Sequence, residues 1–238
     1  IEALNLNSVK AMTSTQLQAL STTQLNALQT EDFANLNEAQ ITGLTTDQVK
    51  ALTTSAVTSL TADQVSKFTT AQVAAVTSTN VGALNSDQVA ALTTAQAKAI
   101  TVADVAVLTS TQVASISTAG VAALTTDQIV ALQTNQIAAL TTTQIVEGLT
   151  TAQIASLTTD QIVGLITAQL ASLATDRIAS LTASQVAAIE TADISGLTTS
   201  QVEALTATQV KAMTTSQLEK LSTAQFSAIT ASDLVSLN

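Results

Sequence analysis

The sequence predicts an all-α solenoid of very short capped helices, one per octapeptide, with three octads to a coil. Three observations predict it. An eight-residue repeat runs through nearly the whole chain, each copy opens with a helix-start signature, and substitutions inside the repeat recur at every third copy. A representative copy, residues 124–131, reads Leu-Thr-Thr-Asp-Gln-Ile-Val-Ala, and positions 1 to 8 are counted from its large apolar residue.

The frame can be followed from one end to the other. Ile1, Glu2 and Ala3 are positions 6 to 8 of an incomplete octad. Octad 4–11 is degenerate, 12–19 and 20–27 are clearer, and 28–35 departs with Glu31, Asp32 and Phe33. The unit 140–148 has nine residues, and its extra residue, near 147–148, is expected to bulge out of a turn. Eleven octads then cover 149–236, and Leu237-Asn238 begins another, for 29 full units. No linker or composition shift interrupts them, so residues 1–238 read as a single repeat array. Both ends stop in mid-octad and lack the polar outer face that caps a solenoid. The chain therefore reads as a segment of a longer array, or as one whose ends pack on further copies or flanking domains.

Neither a long helix nor a simple strand accounts for the octad. Eight residues at 3.6 per turn overshoot two turns by roughly 80°, so the apolar pattern would spiral around one helix. On a strand, positions 1 and 6 are separated by odd numbers of residues and would face opposite ways. A short capped helix fits. Position 2 is Thr, Ser or Asn in 24 of 29 units, as an N-cap should be, and position 5, then the third helical residue, is Gln in 20 of 29. That pairing is a capping box, in which the cap oxygen accepts the third residue's N–H and the Gln side chain accepts the cap's N–H. Positions 1 and 6 form the accompanying hydrophobic staple, as in Leu124 with Ile129 and Leu157 with Ile162. Because each start must end the helix before it, no helix exceeds about six residues.

The charges agree. Thirteen of 17 acidic residues lie at positions 2 to 5, among them Asp47, Asp63, Asp87, Asp127 and Asp160. All six Lys (Lys10, Lys50, Lys67, Lys98, Lys211, Lys220) lie at positions 7 or 8. The helix dipole favours acids at helix starts and bases at helix ends. A β-solenoid, the alternative suggested by abundant Thr and Val, has no reason for that asymmetry. It would also want Gly, Asn or Pro at its corners, and the chain has six Gly and no Pro.

Position 3 sets the number of octads per coil. Counted in threes, the second octad departs from Thr in eight of ten cases: Ser14, Glu38, Ala62, Ser86, Ser110, Ala183, Ala207 and Ala231. The third octad never does. At position 5, Ser8, Asp32, Ala56, Asn80 and Asp104 replace Gln at every third octad. Three helices per coil follow, with positions 1, 6 and usually 8 inward and positions 3, 4 and 7 in solvent. Stacked at ~8–10 Å per layer, about ten coils would make a rod ~80–100 Å long.

Composition restricts the chemistry. The chain has no His, Cys, Trp, Tyr or Pro and three Phe, so the core is aliphatic; Phe33, Phe68 and Phe226 fall at positions 6, 1 and 6 and read as core. Without His or Cys, the Ser-His-Asp and Cys-His nucleophile systems and the usual zinc ligands are missing. A net charge of −10 opposes binding to nucleic acid or anionic membrane. No apolar run approaches the ~18 residues of a membrane span.

The units Leu-Thr-Thr-Xaa-Gln-Ile/Val-Xaa-Ala resemble Thr/Gln-rich octapeptide-repeat arrays of large bacterial secreted or cell-surface proteins. The resemblance covers nearly the whole chain and implies a stalk, adhesin or surface-layer setting, extracellular or on the bacterial cell surface. It transfers no functional residue.

No catalytic, cofactor-binding or metal-binding residue is expected, and the chain is not expected to be an enzyme. The Asp positions are explained by the helix dipole, and no EF-hand or Gly-Gly-Xaa-Gly-Xaa-Asp calcium loop is present. Arg177 replaces a capping Gln and reads as a solvated surface cation or as a partner for an acid across a coil. The expected function is a structural rod or spacer that self-assembles end to end, with itself or flanking repeats as partner. The alternatives are a solenoid binding module for a protein or glycan, and ice binding through Thr arrays.

Overall fold

A computed structural model describes residues 5–230 and Asp233. These residues form 27 α-helices and one π-helical turn, with no strand among them. The fold is the α-solenoid. The chain forms two compact units, 1–124 and 125–238, and both follow the same plan.

Helix Thr46–Ala51 illustrates one octad. Thr45 is the extended N-cap (φ −72°, ψ 158°). Its Oγ1 accepts the Gln48 N–H at 3.1 Å, and Gln48 Oε1 accepts the Thr45 N–H at 3.0 Å. After six residues Leu52, at φ −54° and ψ 137°, closes the helix by donating its N–H to the Val49 carbonyl. Two extended residues, positions 1 and 2, thus turn the chain between helices. Any L-residue adopts these angles, and no described residue has a positive φ. The corners therefore need neither Gly nor Pro.

Within each unit helices pack on the third helix along the chain, so a coil is three octads. In the first unit Ser14–Gln18 packs on Glu38–Gly43, and Thr94–Ala99 on Thr118–Ala123. In the second, Thr151–Ser156 packs on Thr175–Ser180, and Ala183–Ala188 on Ala207–Ala212. Positions 1 and 6 fill the interior, as with Leu52, Val49, Leu132 and Ile129. Phe33 and Phe68 are buried, but Phe226, in helix Thr223–Ala228, is 45% exposed. Position 8 is half-buried instead of inward, and position 5, expected only as a cap, is as deeply buried as the aliphatic positions.

Position 3 is a contact between coils. Position 3 of one coil meets position 8 of the next, and in the second octads Ser14, Ala62, Ser86, Ser110, Ala183 and Ala207 are half-buried instead of solvated (Ala231 lies outside the described residues). A Cβ on Gly43 would stand 2.7 Å from Ser14 Cβ. Thr134, which keeps the Thr, faces Gly164, where a Cβ would lie 2.4 Å from Thr134 Cγ2. The exposed Glu38 instead reaches across to Lys67 Nζ at 3.5 Å.

The nine-residue unit does not bulge from a turn. Its extra residue is taken into the π-helical turn Gln144–Gly148, closed by the Leu149 N–H donating to the Gln144 carbonyl at 2.9 Å. The wider turn keeps both Ile145 and Leu149 fully buried.

Candidate functional site

The polar feature repeated through the fold is the position 5 glutamine. Its Oε1 completes the capping box of its own helix. Its Nε2, on the other side of the amide, donates to the preceding coil. Gln72, 2% exposed, accepts the Thr69 N–H at 2.8 Å and donates to the carbonyls of Ile41 and Leu44, each at 2.8 Å. Gln185 does the same with Ile154 and Leu157 at 3.0 and 2.7 Å, and Gln201 with Leu170 and Leu173 at 2.9 and 2.7 Å. The acceptors are position 6 of one octad and position 1 of the next, joined in several bridges by position 7, as with Thr42 for Gln72 at 3.3 Å. They are among the last carbonyls of a helix, which lack the usual partner four residues on; the position 6 carbonyl also accepts the closing N–H, as Ile41 does from Leu44 at 3.2 Å. One side chain therefore caps the start of its own helix and the end of a helix in the coil beneath. In water such bonds add about 1 kcal/mol each; in this dry setting, leaving the acceptor unmet costs about 1–3 kcal/mol.

At some positions without Gln the bridge is rebuilt with other chemistry, while Ala56 and Gly120 have no polar side chain to make one. Asn80 donates Nδ2 to the Leu52 carbonyl at 2.8 Å and accepts the Thr54 hydroxyl at 2.9 Å. Asp104, which has nothing to donate, accepts the Ser78 and Thr101 hydroxyls at 2.5 Å each. Asp193 accepts the Thr167 hydroxyl in the same manner. Arg177 is neither solvated nor paired with an acid across a coil: its Nη1 donates to the Ile145 carbonyl at 2.7 Å, in the Gln's role.

In five of the nine units without Gln at position 5 the exchange goes with a β-branched first residue, while Ser8, Asp32, Ala56 and Arg177 follow Leu. Five units begin with a β-branched residue: Val76, Ile100, Ile116, Ile189 and Ile229. Their fifth residues are Asn80, Asp104, Gly120, Asp193 and Asp233, all short. At Gly120 the reason is visible, since Ile116 Cγ2 stands 2.9 Å from where a Cβ would be. There the branched methyl and the Ser117 hydroxyl crowd any side chain at position 5.

Elsewhere there is little to hold a ligand. Among the described residues no three Asp or Glu side chains converge where a metal could sit, and no helix is long and apolar enough to cross a membrane. The first unit contains an apolar void of about 30 Å³ lined by residues such as Val57, Val65, Phe68, Val73, Val81 and Val89. That volume holds about one water and offers it no polar partner. An open surface groove in each unit, one beside Asp47, Lys50 and Asp104 and one beside Glu190, Thr214 and Ser216, is lined by short polar side chains.

The profile of the ALTTAQ repeat matches the chain five times, over residues 25–62, 65–102, 97–134, 129–167 and 186–223. No curated protein matches it.

Proposed function

We propose that this chain, which belongs to the ALTTAQ repeat family, is a structural rod or spacer of a bacterial extracellular or cell-surface protein. The observation that carries the reading is the use of position 5: the one large polar group that recurs with the frame is buried in bonds between successive coils. What remains outward is chiefly Thr, Ser and Ala with scattered Asp, Glu, Lys and Val, without the Trp, Tyr and Arg clusters that dominate binding hot spots. A device whose polar groups join each coil to the next suits a length-setting element, because coils can be added without altering any of them. The surface setting rests on the resemblance of the octad to arrays of large secreted and cell-surface proteins.

Chains carrying four, six, eight and ten coils test this directly. The spacer reading expects helical circular dichroism in all, with the maximum dimension from small-angle X-ray scattering growing by a constant step for every coil added. A dimension that stops growing, or chains without helical signal, would sink it.

A further inference from the structure

Position 6 is Val in six successive octads of the first unit, from Val49 to Val89, whereas Ile129, Ile137, Ile145, Ile154 and Ile162 hold it in the second. Each Val brings one carbon fewer into the interior. Position 1 is irregular at the same place: Phe68 and Val76, in adjacent octads, are the one Phe and the one Val among its 29 residues. Protein interiors are close-packed, so volume that is missing from such a stretch is either taken up by movement or left as space.

Here it is left as space. A void of about 30 Å³ lies among Val57, Val65, Phe68, Val73, Val76 and Val81, and every side chain that lines it is Val, Leu, Ile or Phe. The residual exposure of position 6 rises and falls with it: 0% at Val49, 3% at Val65, 6% at Val73, 4% at Val81 and 0% at Val105. Those residues fill the interior, so the exposed area opens on the void. The polar groups of the same stretch are engaged elsewhere. The carbonyls of Val57, Val65 and Val81 accept from Gln88, Gln96 and Gln112 at 2.9, 2.9 and 3.0 Å. A water placed in the void would forfeit its hydrogen bonds.

We propose that this void is a binding site for a small apolar molecule, one large atom or two light ones, such as xenon or dioxygen. Nothing in the lining can orient a polar guest or hold a charge. An apolar guest is favoured on leaving water, and it supplies the dispersion contacts that the lining atoms lack on their open side. Size sets the selectivity, since about 30 Å³ leaves no room for a ring or a chain. The second unit is an internal reference, because Ile129, Ile137 and Ile145 are 0% exposed. The proposal is independent of the spacer reading: a chain that takes up no guest can still be a rod.

The probe is xenon, dissolved under rising pressure over the full chain with isotopically labelled Val, Leu and Ile methyl groups. In nuclear magnetic resonance spectra the methyls of Val65, Val73 and Val81 should shift along a saturating curve, while those of Ile129 and Ile137 should hardly move. Val73→Ile and Val81→Ile each add a carbon beside the void and should weaken uptake by about tenfold or more, the discrimination that one methylene achieves in an apolar pocket. Shifts that grow linearly with pressure, or shifts as large at Ile129 and Ile137, overturn the proposal. A folded Val73→Ile or Val81→Ile chain that takes up xenon like the wild type overturns it too. Circular dichroism identifies a variant that fails to fold; the other variant then stands in its place, and the comparison between the two units of the wild type needs neither.

Discussion

Glutamine-to-glutamate exchange separates the two halves of the bridge, because a carboxylate can accept the cap's N–H but has nothing to donate to the coil below. At Gln209, 2% exposed, Oε1 accepts the Thr206 N–H at 2.7 Å, while Nε2 donates to the carbonyls of Ile178, Ala179 and Leu181 at 3.0, 3.2 and 2.7 Å. Gln209→Glu preserves the first bond. It removes a donor shared by three acceptors, with a net loss of about 1–2 kcal/mol, and it places a buried charge against carbonyl oxygens, adding about 2 kcal/mol or more. The expected cost is about 3–4 kcal/mol. Gln24→Glu makes the same chemical change where the amide nitrogen has no described acceptor and the side chain is exposed. Glu serves a capping box and the helix dipole well, so a change within about 0.5 kcal/mol is expected. Urea denaturation followed by helical circular dichroism, in solutions dilute enough to exclude association, reads the difference. With a slope of about 3 kcal/mol per molar urea, Gln209→Glu should lower the midpoint by about 1 M and Gln24→Glu should hardly move it. Equal shifts at the two sites would refute the bridging role of Nε2.

Three further expectations follow from local geometry. Ile166 and Ala174 occupy N-cap positions without a side-chain oxygen, and Ile166 is 53% exposed; Thr at either site should stabilise by about 1 kcal/mol, read as a raised thermal midpoint, and a lowered one would contradict the cap assignment. Val73→Ile or Val81→Ile adds a methyl beside the 30 Å³ void and should stabilise by about 1 kcal/mol, whereas Ile129→Val, in a fully buried position of the second unit, should cost about 0.5–1.5 kcal/mol. Gly120→Gln should be destabilising alone and become stabilising with Ile116→Leu, a double-mutant cycle with a coupling of about 1–2 kcal/mol; additivity would show that the branched methyl is not what excludes glutamine.

Much of the fold is legible in the octad because its signals are local. The N-cap Thr, the Gln three residues on, the acid bias at helix starts and the Lys bias at their ends all describe interactions within a single octad. The coil length is non-local, yet it is readable from Ser14, Ala62, Ser86 and their equivalents, which recur at every third octad where position 3 meets the next coil. The exceptions lie where contact partners differ or the frame slips. Thr134 is kept where Gly164 faces it, and the ninth residue of unit 140–148 widens a helix because lengthening a two-residue turn would draw Ile145 or Leu149 out of the core.

The bridge itself is half hidden for a physical reason. A capping box accepts Glu as readily as Gln at its third residue, so the box alone does not say which half of the amide matters. The sequence nevertheless answers that question. Among 29 units position 5 is Gln 20 times and Glu never, although Glu would suit both the box and the helix dipole. A carboxylate is admitted only as the shorter Asp, at Asp32, Asp104, Asp193 and Asp233, and Asp104 and Asp193 each meet a hydroxyl from the coil beneath, Ser78 and Thr167. The absent Glu is thus the trace of an acceptor that lies more than three octads back along the chain. That same acceptor explains why Arg177, the other long donor at this position, could replace Gln without breaking the series.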